Sequence, residues 1–199
     1  MTTLKTGTVI DETTWNSPNY TPAASVPAVF GRPRTTSRIT IHHWGNDGQR
    51  FNDVANYLSR AGGNTSAHFV VEAGRVACLV SPENAAWHSG SAEGNATSIG
   101  IECRPEMSEG DITELVALIE WLEDMYGPQE IWLHQEWSAT ACPGRYAAKR
   151  EEIVRRVNAL QGTSGEASAP AQSTVDRGAA IRAELEKIRG SVNAVEGQL

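Results

Sequence analysis

The 199-residue chain has little of what would mark several large protein classes. No apolar run approaches the roughly 20 residues needed to cross a bilayer, so membrane insertion is not expected. The opening "MTTLKTGTVIDETTW" lacks the apolar segment of a secretory signal. Synthesis in the cytoplasm is therefore expected, with passage to any outside target supplied by something else. There is no basic excess: 17 Lys and Arg stand against 24 Asp and Glu, a net charge of -7. Broad nucleic-acid binding needs a positive footprint and is excluded as an expectation. Cysteine is scarce and odd in number, with only Cys78, Cys103 and Cys142, which does not make a disulfide framework.

What is present is an alternation of strand-like and helix-like segments. Residues 1–37 are rich in Thr, Pro, Asn and Ser and read as an arm with little regular structure lying over a domain at 38–161. Strand-like runs follow at about 38–43, 66–72, 75–80, 97–103 and 130–134, with Ala73-Gly74 at a hairpin turn. Between them, Phe51, Val54, Ala55 and Leu58 share one helical stripe, and Ile112, Leu115, Leu118, Ile119 and Leu122 share another. Gly127 and Pro128 give the second helix its stop, and a third helix is expected over 145–160. The pattern predicts an α/β fold, a single mixed β-sheet flanked by helices.

From 162 to 174 the chain is small, polar and aperiodic, the composition of a flexible linker. In 175–199, Ile181, Leu185, Ile188, Val192 and Val195 follow spacings of 4, 3, 4 and 3. That is coiled-coil spacing over fewer than three heptads, so two readings stand. The segment is either an amphipathic helix packing on the domain or a surface for self-association or partner docking.

Strand parity points to a site. In "ITIHHW", Ile39 and Ile41 face one way with His43, while Thr40, His42 and Trp44 face the other. The same alternation puts Glu102 opposite Ile99 and Ile101, His134 opposite Ile131 and Leu133, and His68 opposite Phe69. On one sheet, His42, His68, Glu102 and His134 would gather on its open face. Cys142 follows His134 by eight residues, a loop short enough to return the sulfur to the end of the strand. His42, His134 and Cys142 then form a donor set suited to Zn²⁺, with a fourth position left open, as in catalytic sites. Glu102 is the obvious general base. Each residue also has a plainer reading. His43 can be structural, Glu102 solvated, and Cys78 and Cys103 ordinary packing.

Taken in order, "ITIHHWG", "SAHFVV", "AWHSG", "SIGIE" and "HQEWSATACPG" resemble the zinc amidases that cut N-acetylmuramoyl-L-alanine in peptidoglycan. That family includes phage endolysins, bacterial recycling amidases and animal peptidoglycan-recognition proteins. The likeness spans about residues 15–160, and "SPNYTP" ahead of "IHHWG" is most similar to the phage branch. It implies one zinc per chain on His42, His134 and Cys142, with Glu102 as base. It also implies His88 near the substrate groove and His68 lining the site. Trp44 and Trp87, with Trp137, flank the motifs and could line the groove for sugar or peptide. Two departures stand out. Ala67 replaces a tyrosine found in some members, and Thr140 replaces a lysine thought to steady the oxyanion. Thr140 can donate a hydrogen bond there but brings no charge.

The implied substrate is peptidoglycan, reached after another protein permeabilises the membrane. Two other readings of the residues stand beside it. One is a peptidoglycan-binding module without activity, the other a zinc peptidase acting within the stem peptide. Cys142 and Glu102 argue against the first.

Overall fold

The structure, a computed structural model, describes residues 1–164. The amphipathic segment at 175–199 and most of the expected linker lie outside the described residues. Met1–Gln161 make one compact unit, so the N-terminal arm is built into the domain.

Eight strands are present among the described residues: β1 (Ile10–Asp11), β2 (Tyr20–Thr21), β3 (Arg38–His43), β4 (Phe69–Glu72), β5 (Arg75–Cys78), β6 (Ala85–Ala86), β7 (Ser98–Cys103) and β8 (Glu130–Leu133). The helices are α1 (Val26–Phe30), α2 (Phe51–Ser59), α3 (Ala92–Thr97), α4 (Glu109–Tyr126) and α5 (Arg150–Ser164). Six strands form one mixed sheet in the order β1-β5-β4-β7-β3-β8, in which only β4 and β5 are antiparallel neighbours. A separate two-stranded ribbon pairs β2 with β6.

Period two explains the sheet's main core. Ile39, Ile41, Ile99, Ile101, Ile131 and Leu133 share one face, held in register across β7, β3 and β8. Against them pack Ile112, Leu115, Leu118, Ile119 and Leu122 of α4, the stripe expected from the sequence, together with Ile153 and Val157 of α5. Each such side chain contributes about 1.5–3 kcal/mol by leaving water. A capping box starts α4, in which Ser108 Oγ accepts the Asp111 N–H and Asp111 accepts the Ser108 N–H. Asp111 and Glu114 also accept the N–H groups of Ala73 and Gly74, which ties the β4–β5 turn to this helix.

Several expectations need correction. The second face of the sheet is not open. Helix α2 covers one end of it with Phe51, Val54, Ala55 and Leu58, packed on Val70, Ala77 and Leu79. Strand β4 begins at Phe69, three residues later than expected. His68 N–H still bonds to Gly100 O of β7, but Ser66 N–H turns away from the sheet to Trp87 O. Ala67 consequently joins the α2 cluster and leaves the face of Phe69 and Val71. The arm is more structured than its composition suggested. β1 adds an edge strand, Lys5 bridges to Glu120 of α4 at 2.6 Å, and the Thr6 hydroxyl donates to Glu114 at 2.7 Å.

Candidate active site

His42 lies near the end of β3 and is 1% exposed. Its register partner on β7 is Glu102. His134 follows β8 directly and opens a 3-10 turn over His134–Glu136. The return of the sulfur is set by local bonds. Gln135 N–H donates to Cys142 O at 3.1 Å, closing the loop, and His43 N–H donates to Cys142 Sγ at 3.3 Å. One donor atom from each of His42, His134 and Cys142 falls within 4.8 Å of the others. His42 Nδ1 is 3.7 Å from Cys142 Sγ, and the His42 and His134 ring centroids are 4.3 Å apart.

The donor chemistry and the unmet polar atoms both fit a divalent metal. His134 Nδ1 is buried without a hydrogen-bond partner, an arrangement that is costly unless something else engages the lone pair. Burial drives the His42 imidazole well below its ordinary pKa, with His88 and His134 adding to the effect, so the ring is neutral. His134 is lowered for the same leading reason. Burial, with nearby Glu102 adding to its effect, pushes the Cys142 thiol up to about 12. A metal ion would reverse that last preference, because a coordinated thiol loses its proton. Glu102 Oε2 is also buried and unpartnered, and burial raises its carboxyl to about 7.

Beside Glu102 opens a cavity of about 510 Å³, lined by His43, Trp44, Gln49, Asp53, Tyr57 and Thr65 among others. Trp44 therefore reaches the cavity, resting edge-on against Phe51. Thr140 is exposed near Cys142, and its oxygen accepts the Cys142 N–H at 3.2 Å, which leaves the hydroxyl hydrogen available.

Three residues expected to meet the substrate, His68, His88 and Trp87, are not among those lining this cavity. His68 is 0% exposed. Its Nδ1 accepts the Gly100 N–H at 2.9 Å, and its Nε2 sits 3.1 Å from Asn84 O, so the ring clasps the 80–87 loop to β7. His88 is buried beneath His42, with its Nδ1 2.9 Å from His42 Nε2. Trp87 spends its indole N–H on Thr21 Oγ1 of the arm and does not line the cavity. Burial under the arm and the loops removes His68 and His88 from the surface, and strand parity, which placed His68, does not register such cover. Trp137 stacks on Trp132, with Arg38 over both rings.

The sequence profile of N-acetylmuramoyl-L-alanine amidases matches residues 32–145, more than half of the chain. The chain belongs to this amidase family. Among solved structures, the amidase resembles the catalytic domain of XlyA at 23% identity, with a TM-score of 0.58 over 75% of this chain and 97% of that one. It also resembles a mutant endolysin from Bacillus subtilis, at 22% identity and a TM-score of 0.60, covering 75% and 99% of the two chains. The catalytic domain of PlyG is similar at 20% identity and a TM-score of 0.60, covering 83% and 99%. At these identities the likeness is one of fold. Among curated protein sequences, none matches the chain.

Some residues that shape the amidase site escaped the sequence reading. Asp53 and Tyr57 lie four apart on the polar side of α2, a spacing that would have paired them on one face towards the cavity. Arg34 gave no signal at all. Its guanidinium donates to the carbonyls of Pro82, Asn95, Ala96 and Ser98, pinning the arm to the segment before β6, to α3 and to the start of β7.

Proposed function

We propose that this amidase is zinc-dependent, that His42, His134 and Cys142 hold the ion, and that Glu102 is its general base. The bond cut is the amide between the lactyl group of N-acetylmuramic acid and L-alanine of the stem peptide. The observation that carries this reading is the convergence of two imidazoles and one sulfur beside a buried carboxylate that opens onto a cavity. A zinc ion at these donors would supply a Lewis acid for the scissile carbonyl and acidity to a water.

The chain's own residues do the rest. The Glu102 carboxylate accepts a proton from the attacking water as its oxygen bonds to the carbonyl carbon. The same proton passes to the alanine nitrogen as the C–N bond breaks. The Thr140 hydroxyl donates to the oxyanion in place of a charged side chain. Trp44 and Tyr57 wall the space for the substrate.

A lytic enzyme of the endolysin type is the biological setting that best fits, since two of the similar structures are described as endolysins. No helix among the described residues is long and apolar enough to cross a membrane. In that setting the protein reaches peptidoglycan after another protein permeabilises the membrane. Digestion of purified peptidoglycan tests the reading. New amino termini should be L-alanine, with about one zinc per chain in the active protein. Termini from within the stem peptide would make it a peptidase instead.

A further inference from the structure

Beneath His42 runs a set of hydrogen bonds whose direction can be read from the chemistry of its ends. Trp137 Nε1–H can only donate, and it donates to Thr40 Oγ1 at 2.9 Å. The Thr40 hydroxyl donates in turn to Ser98 Oγ at 2.9 Å. At the other end, the Gly94 carbonyl can only accept, and it takes the Ser98 hydroxyl hydrogen at 2.7 Å. Ser98 Oγ has one hydrogen, and the shorter bond claims it. What remains on that oxygen, towards His88 Nε2 at 3.3 Å, is a lone pair. His88 Nε2 must therefore carry the hydrogen. A neutral imidazole has one N–H, so His88 Nδ1 is bare. That nitrogen lies 2.9 Å from His42 Nε2, which makes His42 the donor. The His42 hydrogen is then on Nε2, and its Nδ1 lone pair faces Cys142 Sγ at 3.7 Å.

We propose that Trp137, Thr40, Ser98 and His88 form a positioning chain that holds His42 in its Nε2–H tautomer, presenting the Nδ1 lone pair to the ion. This rests on the metal reading above and deepens it. None of the four touches the reacting atoms; they act through His42. The backbone makes room for the arrangement, since a Cβ on Gly100 would collide with the His88 ring. Partners that fix the tautomer and orientation of a metal-bound histidine typically alter metal affinity 10–100-fold when removed.

The test begins on the full chain, metal-stripped and labelled with ¹⁵N-histidine. Long-range ¹H–¹⁵N spectra should show both His42 and His88 as Nε2–H tautomers. Zinc affinity by chelator competition should fall about 10–100-fold in His88→Ala. It should largely recover in His88→Asn, whose side-chain oxygen can stand in for the Nδ1 acceptor. Ser98→Ala should mix the His88 tautomers in the same spectra. His42 found as the Nδ1–H tautomer, bonded to Cys142 Sγ, would overturn the chain even if the parent binds zinc. Parent-like zinc affinity in folded His88→Ala would overturn it too. The stated tautomers in a protein that binds no zinc would instead defeat the metal reading.

Discussion

His42 and Glu102 are register partners on adjacent parallel strands, so a single ladder sets the spacing between an imidazole and a carboxylate. Neither depends on a loop for its position. Glu102→Gln keeps the size and removes the proton acceptor. The expected result is a fall in kcat of about 10²–10⁴-fold with zinc content unchanged. Full activity in a zinc-loaded variant would remove Glu102 from the mechanism.

The same carboxyl sets a pH dependence in the metal-free protein. Burial raises Glu102 to about 7 in the folded state, above its ordinary value of 4.5. Between those values the folded chain holds a proton that the unfolded chain releases. Stability contributed by this group is therefore full below about pH 4.5, falls as pH rises to about 7, and is flat above. Glu102→Gln should abolish that slope. At pH 8 the metal-free variant should be about 1–3 kcal/mol more stable than the parent, and at pH 4 about equal. Denaturant titrations at the two pH values check this; a less stable variant at pH 8 would mean that the carboxylate is favourably paired.

His42→Ala, His134→Ala and Cys142→Ala should each lose zinc on dialysis, with activity falling at least about 100-fold. Elemental analysis beside a peptidoglycan digest measures both. His43→Ala is the control, since its Nδ1 accepts the Gly45 N–H and its ring packs against Gly144. Loss of the ion in that variant alone would redraw the ligand set.

Arg34→Ala should destabilise the domain by about 3–5 kcal/mol, because it strips donors from four carbonyls at once. Thermal unfolding reads it. A change under about 1 kcal/mol would mean that the arm adds little to the fold.

Tyr57 borders the cavity and is 55% exposed, so Tyr57→Ala should leave stability near the parent's. KM should rise about three- to tenfold with kcat little changed. Trp87→Phe, whose side chain lies outside the cavity lining, should leave KM alone and cost the Thr21 hydrogen bond, about 1 kcal/mol. Reversed KM effects would put the sugar or peptide on the Trp87 side.

Strand parity was enough to put Ile39, Ile41, Ile99 and Ile101 on the core face, and helical period did the same for Leu115, Leu118 and Leu122. The spacing of His134 and Cys142 likewise anticipated their approach, because a short loop leaves the chain few places to go. Parity put His68 on an open face because it names a face but does not say what covers it, while His88, placed by motif likeness alone, is buried beneath His42. Thr40 and Ser98 carried no signal, since buried hydroxyls in strands look like any other small residues until their partners are known. Arg34 was invisible because its four acceptors are backbone carbonyls from three segments.

β8 is the last strand of the sheet, and its ladder with β3 has four register pairs. Two of the three candidate donors hang from the loop that follows it, while the third belongs to β3. An ion gripped by all three would stitch the border of the sheet to its interior. Chelation should then loosen this margin first, and amide exchange in β8 should quicken before exchange in β7.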